Sequence, residues 1–452
     1  MSSQVSPRSV RIFTLLFIPL LVNLLNISSV HAENLEEIYR KSLNNDPEFV
    51  GSLHAKRAAL ESLNQAQAAY LPNVSLDIER TETTQDVISS DNAVFAIGKI
   101  RFPTNSYTLK LTQPLFQWAS IVRIRQAEVE SKQAEIKYFK ARQDLILRTT
   151  ERYMKVLAAE DLLEFSESEK IAVERQLELA RGRYRMGLAR LTDKLDAEAR
   201  YAWVKSVSIE NRFAVEDTQQ ELRESTGEMP KKLNKLKQDI TLLRPDPDDL
   251  QAWIDTAMQS NPDVLIERYA VEIARHEMER QKAGHLPTLD VVARQNYRET
   301  GGTLFGGGSE VTNQDILLRL SLPIYEGGRV SSLSRETAEL YAKAKQDLER
   351  QIRLVKRETT AAYHGVIHAI SKVRALGQAV TSQERTLKAK REGFKSGLNT
   401  NITVLDAERD LYQAKKDYAQ ARYEYLLDSL RLKKVTGNLR EQDLLAINDW
   451  LE

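Results

Sequence analysis

The chain carries one pattern twice. Asp46-Pro47 recurs as Asn261-Pro262 and Leu71-Pro72 as Leu286-Pro287, both at an offset of 215. Leu109-Lys110-Leu111-Thr112-Gln113-Pro114-Leu115-Phe116 recurs as Leu318-Arg319-Leu320-Ser321-Leu322-Pro323-Ile324-Tyr325, at an offset of 209. Gly187-Leu188, Leu195-Asp196-Ala197-Glu198 and Thr226-Gly227 return as Gly397-Leu398, Leu405-Asp406-Ala407-Glu408 and Thr436-Gly437, each 210 residues on. Landmarks kept in one order at nearly one offset mean an internal duplication. The expected units are residues 33–227 and 248–437, joined by a polar, Lys-rich linker at 228–247 and followed by a tail at 438–452.

Each unit predicts helix, strand, loop, strand, long helix, break, helix. Asn45-Asp46-Pro47 is a helix start with Pro in the first turn, and Pro72 and Pro287 stop the helices that follow. Beyond those prolines the pattern alternates. Val74, Leu76 and Ile78 are apolar between Asn73, Ser75, Asp77 and Glu79, and Tyr107, Leu109 and Leu111 alternate with Thr108, Lys110 and Thr112. In the second unit Ile316, Leu318, Leu320 and Leu322 form one set, which Leu317 interrupts, and Leu289, Val291 and Ala293 a weaker one. Period two with one apolar and one wet face predicts four amphipathic strands. The outer loops are expected near 80–99 and 297–315.

The helices exceed what a globular domain can bury. No Pro lies between Pro114 and Gly187 or between Pro323 and Gly397, which leaves room for a rod of about 100 Å at ~1.5 Å per residue. Such rods must pack lengthwise on others. Val173, Leu177, Ala180 and Tyr184 before the first break, and Leu411, Ala414, Tyr418, Ala421 and Tyr425 after the second, step by three and four as a coiled-coil seam does.

Composition excludes several classes. With 65 Lys+Arg against 64 Asp+Glu there is no electrostatic case for nucleic acid. The absence of cysteine excludes disulfides, thiolate metal sites and cysteine nucleophiles. Residues 1–32 have the form of a secretory signal: Arg8 and Arg11, an apolar run from Ile12 to Leu25, and Val30-His31-Ala32 as a cleavage site. The run is short of the ~20 residues that span a bilayer. An exported chain without further apolar helices inserts in a membrane only through strands. Four strands with open edges cannot close a barrel of at least about eight, so copies must pair. Two copies give eight strands and a filled interior; three give twelve and a lumen.

These residues resemble the TolC family of outer-membrane channel-tunnels over nearly the whole mature chain. The resemblance is carried by Leu71-Pro72 with Leu76-Asp77, by Leu286-Pro287-Thr288-Leu289-Asp290, by the strand-to-helix segments 111–116 and 320–328, by Tyr184-Arg185-Met186-Gly187-Leu188 with Thr192-Asp193, by Gly397-Leu398 with Val404-Leu405-Asp406-Ala407, and by the tail 439–446. It implies a mainly helical fold with transmembrane strands, assembled as a homotrimer: a twelve-stranded barrel in outer-membrane lipid and a twelve-helix tunnel in the periplasm. It implies an exit duct, for proteins or small molecules, joined through a periplasmic adaptor (membrane fusion protein) to an inner-membrane ABC or proton-driven transporter.

The resemblance also assigns residues. Met186, Gly187, Leu188, Leu191, Gly397 and Leu398 become adaptor contacts at the hairpin tips. Asp406 matches one position of the family's aspartate constriction, and the second falls at Thr403. The family latch joins a Tyr and an Arg to the Thr-Asp pair of the first hairpin. Thr192 and Asp193 are present, but the partner positions hold Phe394 and Asn399, which lack the hydroxyl and the charge. Arg190, Lys194 or Lys395 are the expected substitute cations. Tyr70, Tyr107, Phe116, Trp118, Tyr297 and Tyr325 are candidate interface aromatics.

No enzyme activity, cofactor or metal is expected. His364 and His368 share a helix face, but Gly365 follows the first where zinc proteases have Glu. The glycine-rich stretch 301–308 has Gly307 where a phosphate loop needs Lys. The competing class is a secreted coiled-coil adhesin or structural rod without a pore. A periplasmic adaptor is excluded, because an adaptor has one hairpin and no duplicated strand pairs.

Overall fold

A computed structural model describes residues 32–89, 97–302 and 307–452. All of the expected signal segment except Ala32, and residues 303–306 of the glycine-rich loop, lie outside them. The first unit runs α1 (Leu35–Asn45), α2 (Pro47–Ala68), β1 (Asn73–Val87), β2 (Gly98–Phe116), α3 (Trp118–Arg185) and α4 (Leu191–Thr226). The second repeats that order as α5 (Leu250–Ser260), α6 (Pro262–Lys282), β3 (Thr288–Thr300), β4 (Ser309–Ser321), α7 (Arg329–Lys395) and α8 (Asn401–Val435). A last helix, α9 (Glu441–Asn448), belongs to neither.

The repeated Pro signals act as expected. Asp46 caps α2 by accepting from Phe49 N–H at 2.9 Å, and Asn261 caps α6 by accepting from Val264 N–H at 3.0 Å. The same corners tie down the far end of each unit: Asn45 donates to Thr226 O and Asn261 to Val435 O. With 68 residues in α3 and 67 in α7, both rods are about 100 Å long.

The four strands form one antiparallel sheet in the order β1-β2-β3-β4, so the units join through β2 and β3. β1 and β4 are edges with no partner among the described residues. Register puts the apolar set on one face: Val74, Leu111, Ala293 and Ile316 lie in one row, and Leu76 pairs with Leu109. The opposite face carries Ser75, Lys110, Arg294 and Asp315 in one row, with Arg294 3.0 Å from Asp315 and Asn296 donating to Thr108 at 2.7 Å. Leu317, which breaks the alternation, pairs with the buried Val292 on the wet face. The strands thus keep their register through it.

The outer loops are much shorter than the alternation suggested. β1 runs to Val87 and β2 starts at Gly98, while β3 and β4 reach Thr300 and Ser309. Segment 81–86 is polar on both faces, so periodicity fades there while the ladder from Thr81–Thr104 to Val87–Gly98 continues. Tyr107 and Tyr297 accordingly lie in mid-sheet, with ring centroids 5.9 Å apart.

The core sits part-way along the rods, where Tyr153, Met154 and Leu157 of α3 meet Leu426 and Leu430 of α8. The segment expected as a polar linker is packed into it. Leu233 and Leu236 are buried, Leu233 bridges Glu33, and Leu236 bridges Leu451. Tyr153 Oη donates to Asn234 O at 2.9 Å. Lysines between these leucines hide the apolar stripe from a composition-level reading. Leu439, Leu444 and Ile447 of the tail close the same core.

Candidate functional site

α3 and α7 end in reversals of the same construction. Leu188 N–H donates to Arg183 O at 2.8 Å and Gly187 N–H to Tyr184 O at 2.9 Å; Leu398 N–H donates to Gly393 O at 2.8 Å and Gly397 N–H to Phe394 O at 3.2 Å. This is a Schellman closure. Gly187 at φ 72° and Gly397 at φ 77° occupy the left-handed region that a side chain would strain. α3 then packs along α4, and α7 along α8, as antiparallel hairpins. Met186, Leu188, Leu191 and Leu398 are exposed on the two reversals, Leu398 to 85%. Scattered exposed leucines are ordinary, but apolar side chains concentrated on two adjoining turns make a patch. Tyr184, expected in the seam, is also exposed and takes Lys194 over its ring at 5.7 Å. Two residues before the Met186 cap, it lies in the last turn of α3.

Asp193, Phe394 and Asn399 line one small hollow between the reversals. Each is engaged by its own surroundings. Asp193 Oδ2 accepts from Arg190 N–H at 3.1 Å, capping α4. Asn399 Nδ2 donates to Lys390 O at 3.3 Å. The Phe394 ring faces the Arg183 guanidinium at 5.1 Å. Thr192 is exposed. Of the cations expected at this place, Lys194 pairs with Glu198 and Lys395 with Glu392, and Arg190 supplies only its backbone. Arg183, which spacing did not single out, is the cation that joins the two hairpins at their tips, through the Phe394 ring.

On α8, Asp406 is exposed, and Arg409 Nη1 stands 3.4 Å from its carboxylate. Thr403 Oγ1 donates to Thr400 O at 2.8 Å, so its hydroxyl serves the helix start. Further from the tips, two charge pairs bring side chains of all four long helices near one another. Glu169 of α3 accepts from Arg200 of α4 at 2.5 Å, and Glu408 of α8 accepts from Arg391 of α7 at 2.7 Å. Burial pushes the Glu169 carboxyl up from its ordinary value, with Arg200 opposing and Glu408 adding to the rise. Sequence reasoning missed these pairs for a definite reason. The three-four spacing carried back from Val173 and Leu411 lands on Lys170 and Ala407, one residue away from each acid.

Among the described residues no three His, Asp or Glu side chains gather as a metal site, and His364 lies edge-on to Tyr363 at 5.6 Å. No described helix is long and apolar enough to cross a membrane. The apolar sheet face, in which Gln295 and Gln314 share a row with Leu76 and Leu109, has instead the form that strands turn to lipid. From Leu289 to Tyr297 it spans about 27 Å along the strand, or roughly 21 Å of height at a ~40° tilt, near the belt a barrel presents to lipid. Tyr107 and Tyr297 lie on its upper rim; the next outward row is Arg80, Asn105, Glu299 and Glu310.

Comparison with known proteins agrees with this geometry. The family model described as "Outer membrane efflux protein" matches residues 38–228 and 253–438. The chain is 33% identical to outer membrane protein TolC of Vibrio cholerae, over 94% of this chain and 95% of that one. It is 26% identical to the proteases secretion protein PrtF of Dickeya chrysanthemi, over 94% and 92%. Among solved structures, the CmeC outer membrane channel of Campylobacter jejuni superposes with a TM-score of 0.80 at 14% identity, covering 94% of this chain and 91% of that one. With both of its repeats matched by that model, the chain belongs to the outer membrane efflux protein family, and it is an exit duct of the Gram-negative outer membrane with its tunnel in the periplasm.

Proposed function

We propose that three copies assemble into a closed duct, each giving four strands to a twelve-stranded barrel and four rods to a periplasmic tunnel. The observation that carries this is the sheet itself: two open edges, β1 and β4, on a sheet whose outward face leaves Ile316, Leu318 and Leu320 exposed. Joining β4 of one copy to β1 of the next removes both edges. The duct is passive and has no catalytic role or cofactor. It receives proteins or small molecules from an inner-membrane ABC or proton-driven transporter through a periplasmic adaptor. This tripartite arrangement suits both efflux and type I secretion; the family's description names efflux, and PrtF is named for the secretion of proteases. Residues 1–32 are the export signal; the two repeats build barrel and wall.

In this reading the tip patch of Met186, Gly187, Leu188, Leu191, Gly397 and Leu398 receives the adaptor. Asp406, one helical turn from Thr403, narrows the mouth, and Asp410 follows it one turn along the same exposed face of α8. The latch around Thr192, Asp193, Phe394 and Asn399 is held by the Arg183–Phe394 contact in place of a charged pair. Native mass spectrometry and bilayer recording of the detergent-extracted protein test the proposal. A species of three chains with stepwise ion conductance is expected. A single non-conducting chain, the behaviour of a secreted rod, overturns it.

A further inference from the structure

The Arg409 guanidinium spans two acids one turn apart on the exposed face of α8. Its Nε and Nη2 donate to Asp410 Oδ1 at 3.0 and 2.9 Å, and its Nη1 stands 3.4 Å from Asp406 Oδ1. All three side chains are about half exposed. The neighbouring α8 positions turned inward, Leu405 and Glu408, are buried against the other rods, so the triplet lies on the face of α8 that its own chain leaves uncovered. An arginine stays protonated at any pH the protein meets. The positive charge beside Asp406 is therefore permanent.

We propose that Arg409 sets the cation affinity of the mouth by neutralising half of its carboxylate charge, an inference that rests on the reading of Asp406 as pore-lining. With three copies, Asp406 and Asp410 supply about six negative charges and Arg409 returns about three. The field in a narrow mouth follows the sum of the ring charges. A polyvalent cation must also displace the guanidinium or share the carboxylate with it, and both weaken its hold. The mouth is thus a tempered acidic ring that holds polyvalent cations more weakly than its carboxylates alone would.

The full-length protein in planar bilayers, probed with hexaamminecobalt(III), tests this. Arg409→Gln is expected to lower the half-blocking concentration about tenfold, while Asp406→Asn raises it and Arg409→Lys, which keeps the charge, leaves it near wild type. Block unchanged in Arg409→Gln but weakened in Asp406→Asn overturns the role of Arg409 and leaves the pore reading standing. Block unchanged in both variants overturns the pore reading and the inference together. An equal shift in Arg409→Lys and Arg409→Gln overturns the assignment to charge.

Discussion

The Arg391 guanidinium of α7 stands 2.7 Å from the Glu408 carboxylate of α8, whose side chain is only 1% exposed. The second carboxylate oxygen, Oε2, has no partner among the described residues. A buried acid held by one cation is vulnerable to loss of that cation, because an unpaired buried charge remains. Arg391→Ala is expected to destabilise the tip half of the tunnel by about 2–4 kcal/mol, less than a fully buried pair would show because the guanidinium is half exposed. Glu408→Gln, which removes the charge, is expected to cost less, and Arg391→Met with Glu408→Leu to come near wild type. Thermal unfolding of the four proteins checks this. An Arg391→Ala protein as stable as wild type rejects the pair as a structural element.

Lipid-facing and lumen-facing positions alternate along β4, so neighbouring residues on one strand must respond differently to charge. Ile316 lies in the middle row of the apolar band with Val74, Leu111 and Ala293. Ile316→Arg is expected to cost about 2–4 kcal/mol of barrel stability, the figure for a cation near the bilayer midplane. Asn313→Arg, on the wet face, is expected to be near neutral. Folding titrations into lipid vesicles separate the two, and equal costs contradict the assignment of faces.

How far the sequence discloses this molecule depends on which physical signal each part leaves. The repeats, the long rods, the four strands and the two glycine reversals leave periodic or positional marks, and the structure places them as the marks indicate. The strand lengths do not, because Thr81 to Asp86 pair by backbone hydrogen bonds that are indifferent to side-chain polarity. The 228–247 segment does not, because Leu233 and Leu236 are diluted by lysines that stay in water. The Glu169–Arg200 and Glu408–Arg391 pairs depend on how the two helices of a hairpin lie against each other, and the Arg183–Phe394 contact on how the two hairpins do. No spacing within one helix records that relation.

The tip patch separates docking from folding. Leu398 is 85% exposed and follows the Gly397 reversal, so its side chain contributes little to the stability of its own chain. Leu398→Glu is expected to leave thermal stability and conductance unchanged and to weaken adaptor binding by about tenfold, in keeping with the loss of one buried leucine and the exclusion of a charge from an apolar contact. Surface plasmon resonance against the purified adaptor reads the first, and bilayer recording the second. Undiminished binding places the adaptor elsewhere on the tunnel.

Glu167 and Glu169 lie two residues apart on α3 yet are linked to pH with opposite signs. Glu167 bonds Lys170, accepts from Ser208 Oγ at 2.8 Å and from Arg212 at 2.9 Å. The Lys170 and Ser208 bonds lead in bringing its carboxyl down from 4.5 to about 2. A depressed acid stabilises the fold above its unfolded value, and that contribution is lost as pH falls through the folded one. Between about 4.5 and about 2 the α3–α4 hairpin therefore loosens on acidification. Glu169 is raised, chiefly by burial, so its ionisation opposes folding at neutral pH. Its protonation stabilises the fold as pH falls through the raised value towards 4.5. Hydrogen exchange of α3 and α4 across that range is expected to show protection rising towards 4.5 and falling below it. Glu169→Gln removes the rise and Glu167→Gln softens the fall. If Glu167→Gln leaves the acid limb unchanged, the hydrogen bonds from Lys170 and Ser208 are not what holds these two helices together in acid.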